Sequence, residues 1–287
     1  MMTATKKINS SRNATPPVTT ARQAAPPAIG YSLLEVPRIV LELGSSLALA
    51  PLLRRLPGGD GHTVMTLPPF LGAEGCTALL RRYLDKLGYR AISWGLGRNM
   101  PRRISSMEQL MAFRRETEAA IAEILADEVE SSGQAVSLVG WSLGGLHAAG
   151  LAHRHPDLVR QVVTLGTPFG DFRGTALYPL MRRIHKVPLS EDAIHEWKAH
   201  TFAGELKAPI SALYSLSDGV VNTDIACLPE HELTENIAVL ASHVGFPFNP
   251  LVRALLAERL AQAPGHWRPC STTAIQPLVQ RLVGYPS

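Results

Sequence analysis

The stretch QAVSLVGWSLGGLHAAGLAHRHP, residues 134–156, carries three local patterns in a row. Residues 134–142 form an apolar run without a polar face, as expected for a strand in the middle of a parallel sheet. Residues 144–156 are rich in Ala and Leu and close on Pro156, which reads as a helix. Between them lies Gly140-Trp141-Ser142-Leu143-Gly144. Gly-x-Ser-x-Gly is a weak signal by itself. Set between an apolar strand and a helix, it predicts a sharp turn that pushes the Ser142 side chain out above the sheet. Gly140, Gly144 and Gly145 fit that turn because backbone must pass close by.

The pattern extends outward on both sides. Strands are predicted at 62–70, 89–95, 159–169, 208–218 and 235–243, besides 134–142. Helices are predicted at 32–56, 76–88, 105–133, 144–156 and 249–262, the third opening on a Ser105/Glu108 capping box. Strands alternating with helices from 62 to 262 imply a mostly parallel sheet of about six strands, covered by helices on both faces. Residues 170–207 break the rhythm and read as a helical insertion over the carboxyl edge of the sheet, where such folds bind ligands.

Composition limits the function classes. Of 287 residues, 46% are hydrophobic and 18% charged, and the net charge is +4. With no dense Lys/Arg block, nucleic acid is not expected as a partner. Cys76, Cys227 and Cys270 lack a metal-binding or disulfide spacing, so neither a metal nor a staple is expected. Residues 1–30 contain Lys6, Lys7, Arg12 and Arg22, no acid and no apolar periodicity, and read as a disordered tail. The folded domain then spans 31–267, with a C-terminal extension at 268–287. The apolar stretch 39–53 contains Glu42 and is shorter than the ~20 residues of a membrane span. It reads as a helix packed on the domain, leaving only weak association with a membrane surface. The absence of a Sec-type signal points to the cytoplasm.

A serine hydroxyl needs a base, and the base needs an orienting carboxylate. In folds with this elbow they follow in the order Ser, acid, His. Asp218 ends one predicted strand and His243 ends the next, in that order and on the same sheet edge as Ser142. Asp171 and Asp224 are the second and third choices for the acid. His147, His153, His155, His185, His195 and His200 read as surface or packing residues. The oxyanion needs backbone N–H donors. Leu143, just after the nucleophile, supplies one. The loop LPPFLGAEG (67–75) supplies the other; Pro68 and Pro69 have no N–H, so Phe70 is the first donor and Leu71 the next.

Through GWSLGG, YSLSDGVV, SHVGF, and LPPFLG followed by LGYRAISWGLGRN, residues 60–262 resemble the α/β-hydrolase superfamily, and within it lipase- and esterase-like serine hydrolases. Pro69 stands where such relatives usually carry Gly. The resemblance implies cleavage of an acyl ester, lipid ester or thioester through an acyl-enzyme, with no metal or organic cofactor. Ser142 would be the nucleophile, His243 the base and Asp218 its orienting acid. Leu71, Trp94, Trp141 and Phe169 are expected around the acyl pocket. Acyl transfer by the same triad is the alternative within enzymes. A catalytically inactive binding scaffold is the alternative outside them.

Overall fold

A computed structural model describes residues 24–101, 104–185 and 190–270. The expectations for residues 1–23 and 271–287 lie outside these residues. Six strands, β1 (Thr63–Leu67), β2 (Arg90–Ser93), β3 (Val136–Trp141), β4 (Val159–Leu165), β5 (Ile210–Ser215) and β6 (Thr234–Val239), form one sheet in the order β2-β1-β3-β4-β5-β6. All neighbouring pairs are parallel.

Successive residues of the inner strands feed two different cores, because strand side chains alternate between faces. Val64, Val139, Val163 and Leu213 face one core, shared with α3 (Ala78–Lys86) and α8 (Pro250–Leu260). Met65, Leu138, Val162 and Ala212 face the other, shared with α4 (Met107–Ser132) and α5 (Leu143–Arg154). Burial on both faces explains why β3 shows no polar face in sequence.

The strand order positions the site. The chain runs outward from β1 to β2 at one edge, then returns to place β3 on the other side of β1. Winding therefore reverses between β1 and β3, which opens a crevice at their carboxyl ends. The segments leaving those ends carry Phe70 and Ser142.

Two boundaries differ from the sequence expectation. The N-cap of α4 is Ser106, one residue later than expected: its hydroxyl accepts from Gln109 N at 3.2 Å, and Gln109 Oε1 accepts from Ser105 N at 2.8 Å. Gln109 thus takes the reciprocal role assigned to Glu108. The helix predicted over 32–56 is two helices, α1 (Ile29–Ala48) and α2 (Ala50–Leu53). Pro51 lacks the N–H that would bond back to residue 47, so a continuous helix is interrupted there. Residues 170–207 carry α6 (Tyr178–His185) and α7 (Glu191–Thr201) between β4 and β5.

Candidate active site

Ser142 sits at the turn between β3 and α5 with φ 54° and ψ −117°. A non-glycine residue here costs about 1–3 kcal/mol, held in place by its surroundings. Ser142 N donates to Leu165 O at 2.9 Å, and Ser142 O accepts from Thr167 Oγ1 at 3.0 Å. The flanking glycines are sterically required. A Cβ on Gly140 would lie 2.5 Å from Gly145 Cα, and one on Gly144 would lie 2.4 Å from Leu67 O and 2.7 Å from Pro68 O. These are backbone atoms that cannot turn away. Gly144→Ala is therefore expected to cost about 1–3 kcal/mol of stability by overpacking. It also presses on the loop carrying Phe70, so kcat should fall together with the thermal midpoint. A variant with wild-type midpoint and kcat would refute this account.

Asp218 and His243 come from the loops after β5 and β6. Asp218 Oδ1 accepts from Val220 N and Val221 N, both at 2.7 Å. Its Oδ2 lies 2.8 Å from His243 Nδ1. A carboxylate at Nδ1 places the proton there and leaves Nε2 as the basic nitrogen. Both side chains are buried. Trp141, adjacent to Ser142, donates its indole N–H to His243 O at 3.0 Å, so the Ser142 turn and the His243 loop are tied together. Burial pushes the His243 imidazole down, but the Asp218 charge and hydrogen bond, with the Glu35 charge behind them, hold it above the ordinary value of 6.5.

Glu35 and Glu42 are site residues that the sequence did not reveal. Both lie on α1 and both are buried. Glu35 Oε1 accepts from Gly219 N at 2.8 Å and His243 N at 2.9 Å, and Oε2 accepts from Val244 N at 2.9 Å. One carboxylate thus gathers the backbone beside Asp218 and at His243. Glu42 accepts from Ser242 N at 2.7 Å and Ser242 Oγ at 2.5 Å. Their only signal was acidic residues inside an apolar run.

A largely apolar cleft opens at Ser142, lined by Phe70, Leu143, Phe172, Tyr178 and Val221 among others. Phe172 and Tyr178 come from the 170–207 insertion. Leu143 is the first residue of α5, so its N–H has no intrahelical acceptor. Leu71 has φ 63° and donates its N–H to Asn99 O at 3.0 Å, which engages it away from the cleft. Asn99, fully buried, also donates to Pro68 O at 2.7 Å and braces the loop after β1. Sequence reasoning passed over Asn99 because an isolated Asn in a Gly-rich loop reads as a turn residue.

The structure places Trp141, Phe169 and Trp94 in the packed cores rather than along the cleft. Trp141 instead holds the His243 backbone, and Phe169 packs on Phe202 at 6.2 Å between ring centres. Asp171 pairs with Arg173, at 2.7 Å from Arg173 Nε, and Asp224 is exposed; neither bonds to His243. His147, by contrast, is buried at the floor of the cleft, 3.5 Å from Glu118. Glu118 is also bonded by Arg114 Nε at 2.9 Å, by Arg154, and by His200 Nε2 at 3.2 Å. These cations and hydrogen bonds keep its carboxylate ionised despite burial, which alone would raise its pKa. Among the described residues, no group of three His, Cys, Asp or Glu side chains could hold a metal ion.

A family model described as the alpha/beta hydrolase fold matches residues 101–183, which hold α4, β3, the Ser142 turn, α5 and β4. Solved structures agree on the fold. The mature form of the lipase BlEst2 from Bacillus licheniformis aligns with a TM-score of 0.51 at 17% identity, over 72% of this chain and 94% of that one. Aspergillus fumigatus lipase B aligns with a TM-score of 0.53 at 15% identity, over 72% of this chain; the match spans 54% of that longer protein. No curated protein matches the sequence. With its all-parallel six-stranded sheet, this is a protein of the α/β-hydrolase fold.

Proposed function

We propose that the protein is a serine hydrolase that cleaves carboxylic esters through an acyl-enzyme. The observation that carries the reading is the Asp218–His243 hydrogen bond of 2.8 Å beside a serine held at φ 54° on the strand–helix turn. Ser142 Oγ attacks the acyl carbon while His243 Nε2 takes its proton. The tetrahedral oxyanion is held by the Leu143 and Phe70 N–H groups. His243 then returns the proton to the leaving alkoxide, and the acyl group stays on Ser142. Water, deprotonated by His243, attacks the acyl-enzyme, and Ser142 leaves with the proton restored. Asp218 holds the tautomer and stabilises the imidazolium throughout. The apolar cleft supports an acyl chain or lipid ester as substrate.

A fluorophosphonate probe, followed by short- and long-chain p-nitrophenyl esters, tests this directly. Covalent labelling and ester turnover in water are expected. Absence of labelling would favour an inactive scaffold. Labelling with turnover only when an alcohol acceptor is added would favour acyl transfer.

The pH profile follows from His243. The base must be neutral to act, so kcat/KM rises with pH as His243 loses its proton. Because Asp218 and Glu35 raise its pKa above 6.5, the midpoint of the acid limb is expected above that value. A midpoint below it would contradict the assigned environment.

A further inference from the structure

Helix α1 is inside out. Its buried positions are Glu35, Glu42 and Ser46, and Arg38 reaches inward to Ser217 O. Its outward positions are apolar: Ile29, Leu33, Val36, Val40, Leu41 and Leu47 are each two-thirds or more exposed. The inner face is polar because it covers backbone N–H groups of the Asp218 and His243 loops, and those donors demand acceptors. Nothing in the fold demands an apolar outer face. Leu216 and Leu240, in the loops that α1 straps down, are also largely exposed. An exposed apolar surface of this kind marks a contact.

Charge tells what makes the contact. Residues 1–59 carry Lys6, Lys7, Arg12, Arg22, Arg38, Arg54 and Arg55 against only two carboxylates, Glu35 and Glu42. Both carboxylates are buried on the inner side of α1, whereas Arg54 and Arg55, directly after α2, are exposed. The outward surface of α1 therefore presents hydrocarbon and no negative charge, with exposed basic residues close behind it in the chain. No described helix is long and apolar enough to cross a membrane. A helix with one broad apolar face, followed by exposed cations, suits the plane of a lipid surface.

We infer that α1 docks flat on an anionic lipid surface, with its apolar face among the acyl chains and the neighbouring arginines at the headgroups. The Asp218 and His243 loops are then held directly behind the lipid-facing helix. The inference does not depend on the proposed ester chemistry, since binding can be read without turnover.

Its test is sedimentation of the full chain with vesicles of phosphatidylcholine alone or mixed with phosphatidylglycerol, at low and high salt. Binding is expected to the mixed vesicles and to weaken with salt. The variant Leu33→Glu/Val40→Glu, with both changes on the exposed face, is expected to bind about tenfold or more weakly. Its thermal midpoint should match the wild type, which separates lost docking from lost folding. Failure of the wild type to sediment with mixed vesicles would overturn the proposal, as would equal binding by the variant or equal binding to phosphatidylcholine alone. So would light scattering that shows a wild-type dimer dissociated by the two substitutions, because a second copy would then cover the face.

Discussion

Ser142→Ala is expected to eliminate fluorophosphonate labelling and to lower kcat/KM by about 10⁴- to 10⁶-fold. The alanine cannot form the acyl-enzyme, and the oxyanion donors alone leave only a small residual acceleration over water. The same position makes a second, independent statement about structure. Its φ of 54° strains any residue with a Cβ, so removing the hydroxyl leaves the strain in place. Ser142→Gly should lose activity equally but melt at a higher temperature than Ser142→Ala, by about 1 kcal/mol of recovered strain. Persistent labelling of Ser142→Ala would move the nucleophile elsewhere. Equal stability of the two variants would remove the strain argument while leaving the chemistry intact.

Glu35→Ala is expected to be the most damaging change outside the Ser142, Asp218 and His243 set. The carboxylate accepts from Gly219 N, His243 N and Val244 N, all between 2.8 and 2.9 Å. Its removal leaves three backbone donors without their acceptor beneath α1. At roughly 1–3 kcal/mol for each unsatisfied buried group, and with some relaxation, a total cost of about 3–5 kcal/mol follows. That should lower the thermal midpoint by about 10 °C for a domain of this size. Glu35→Gln separates folding from catalysis. It keeps an acceptor oxygen but removes the charge that helps hold the His243 pKa up, so the acid limb of kcat/KM should move to lower pH. A purely structural role for Glu35 would leave that limb unmoved. An unchanged midpoint in Glu35→Ala would show that the loops do not depend on it.

The parts of the fold that were legible in sequence are those set by neighbours along the chain. The apolar run before Ser142 had to be an inner strand because no polar side chain in it could face water. The glycines around Ser142 announced the turn because only they let β3, α5 and the loop after β1 approach so closely. The downstream order of Asp218 and His243, each at a strand end, brought them to one sheet edge, where they are hydrogen-bonded. Local reading fell short where a residue acts through a distant partner. Leu71 was a reasonable donor until Asn99 O took its N–H. Trp141 read as pocket lining, yet its indole N–H finds the His243 carbonyl, 102 residues away. His147 read as a surface or packing residue; it is buried, but its place on the cleft lining 3.5 Å from Glu118 depends on a residue 29 positions away.

Helix α1 separates the two kinds of information most sharply. By itself the sequence determined that residues 32–56 would be mostly helical and would pack on the domain, since helical patterns are local; the structure divides them into α1 and α2. Which side faces inward was decided by what the helix covers. Most helices meet an apolar sheet face and bury hydrocarbon. This one covers loops whose backbone N–H groups need acceptors, so it buries Glu35 and Glu42 and turns its leucines and valines outward. Periodicity gives the two faces of a helix, and only the tertiary structure decides which of them is the inside.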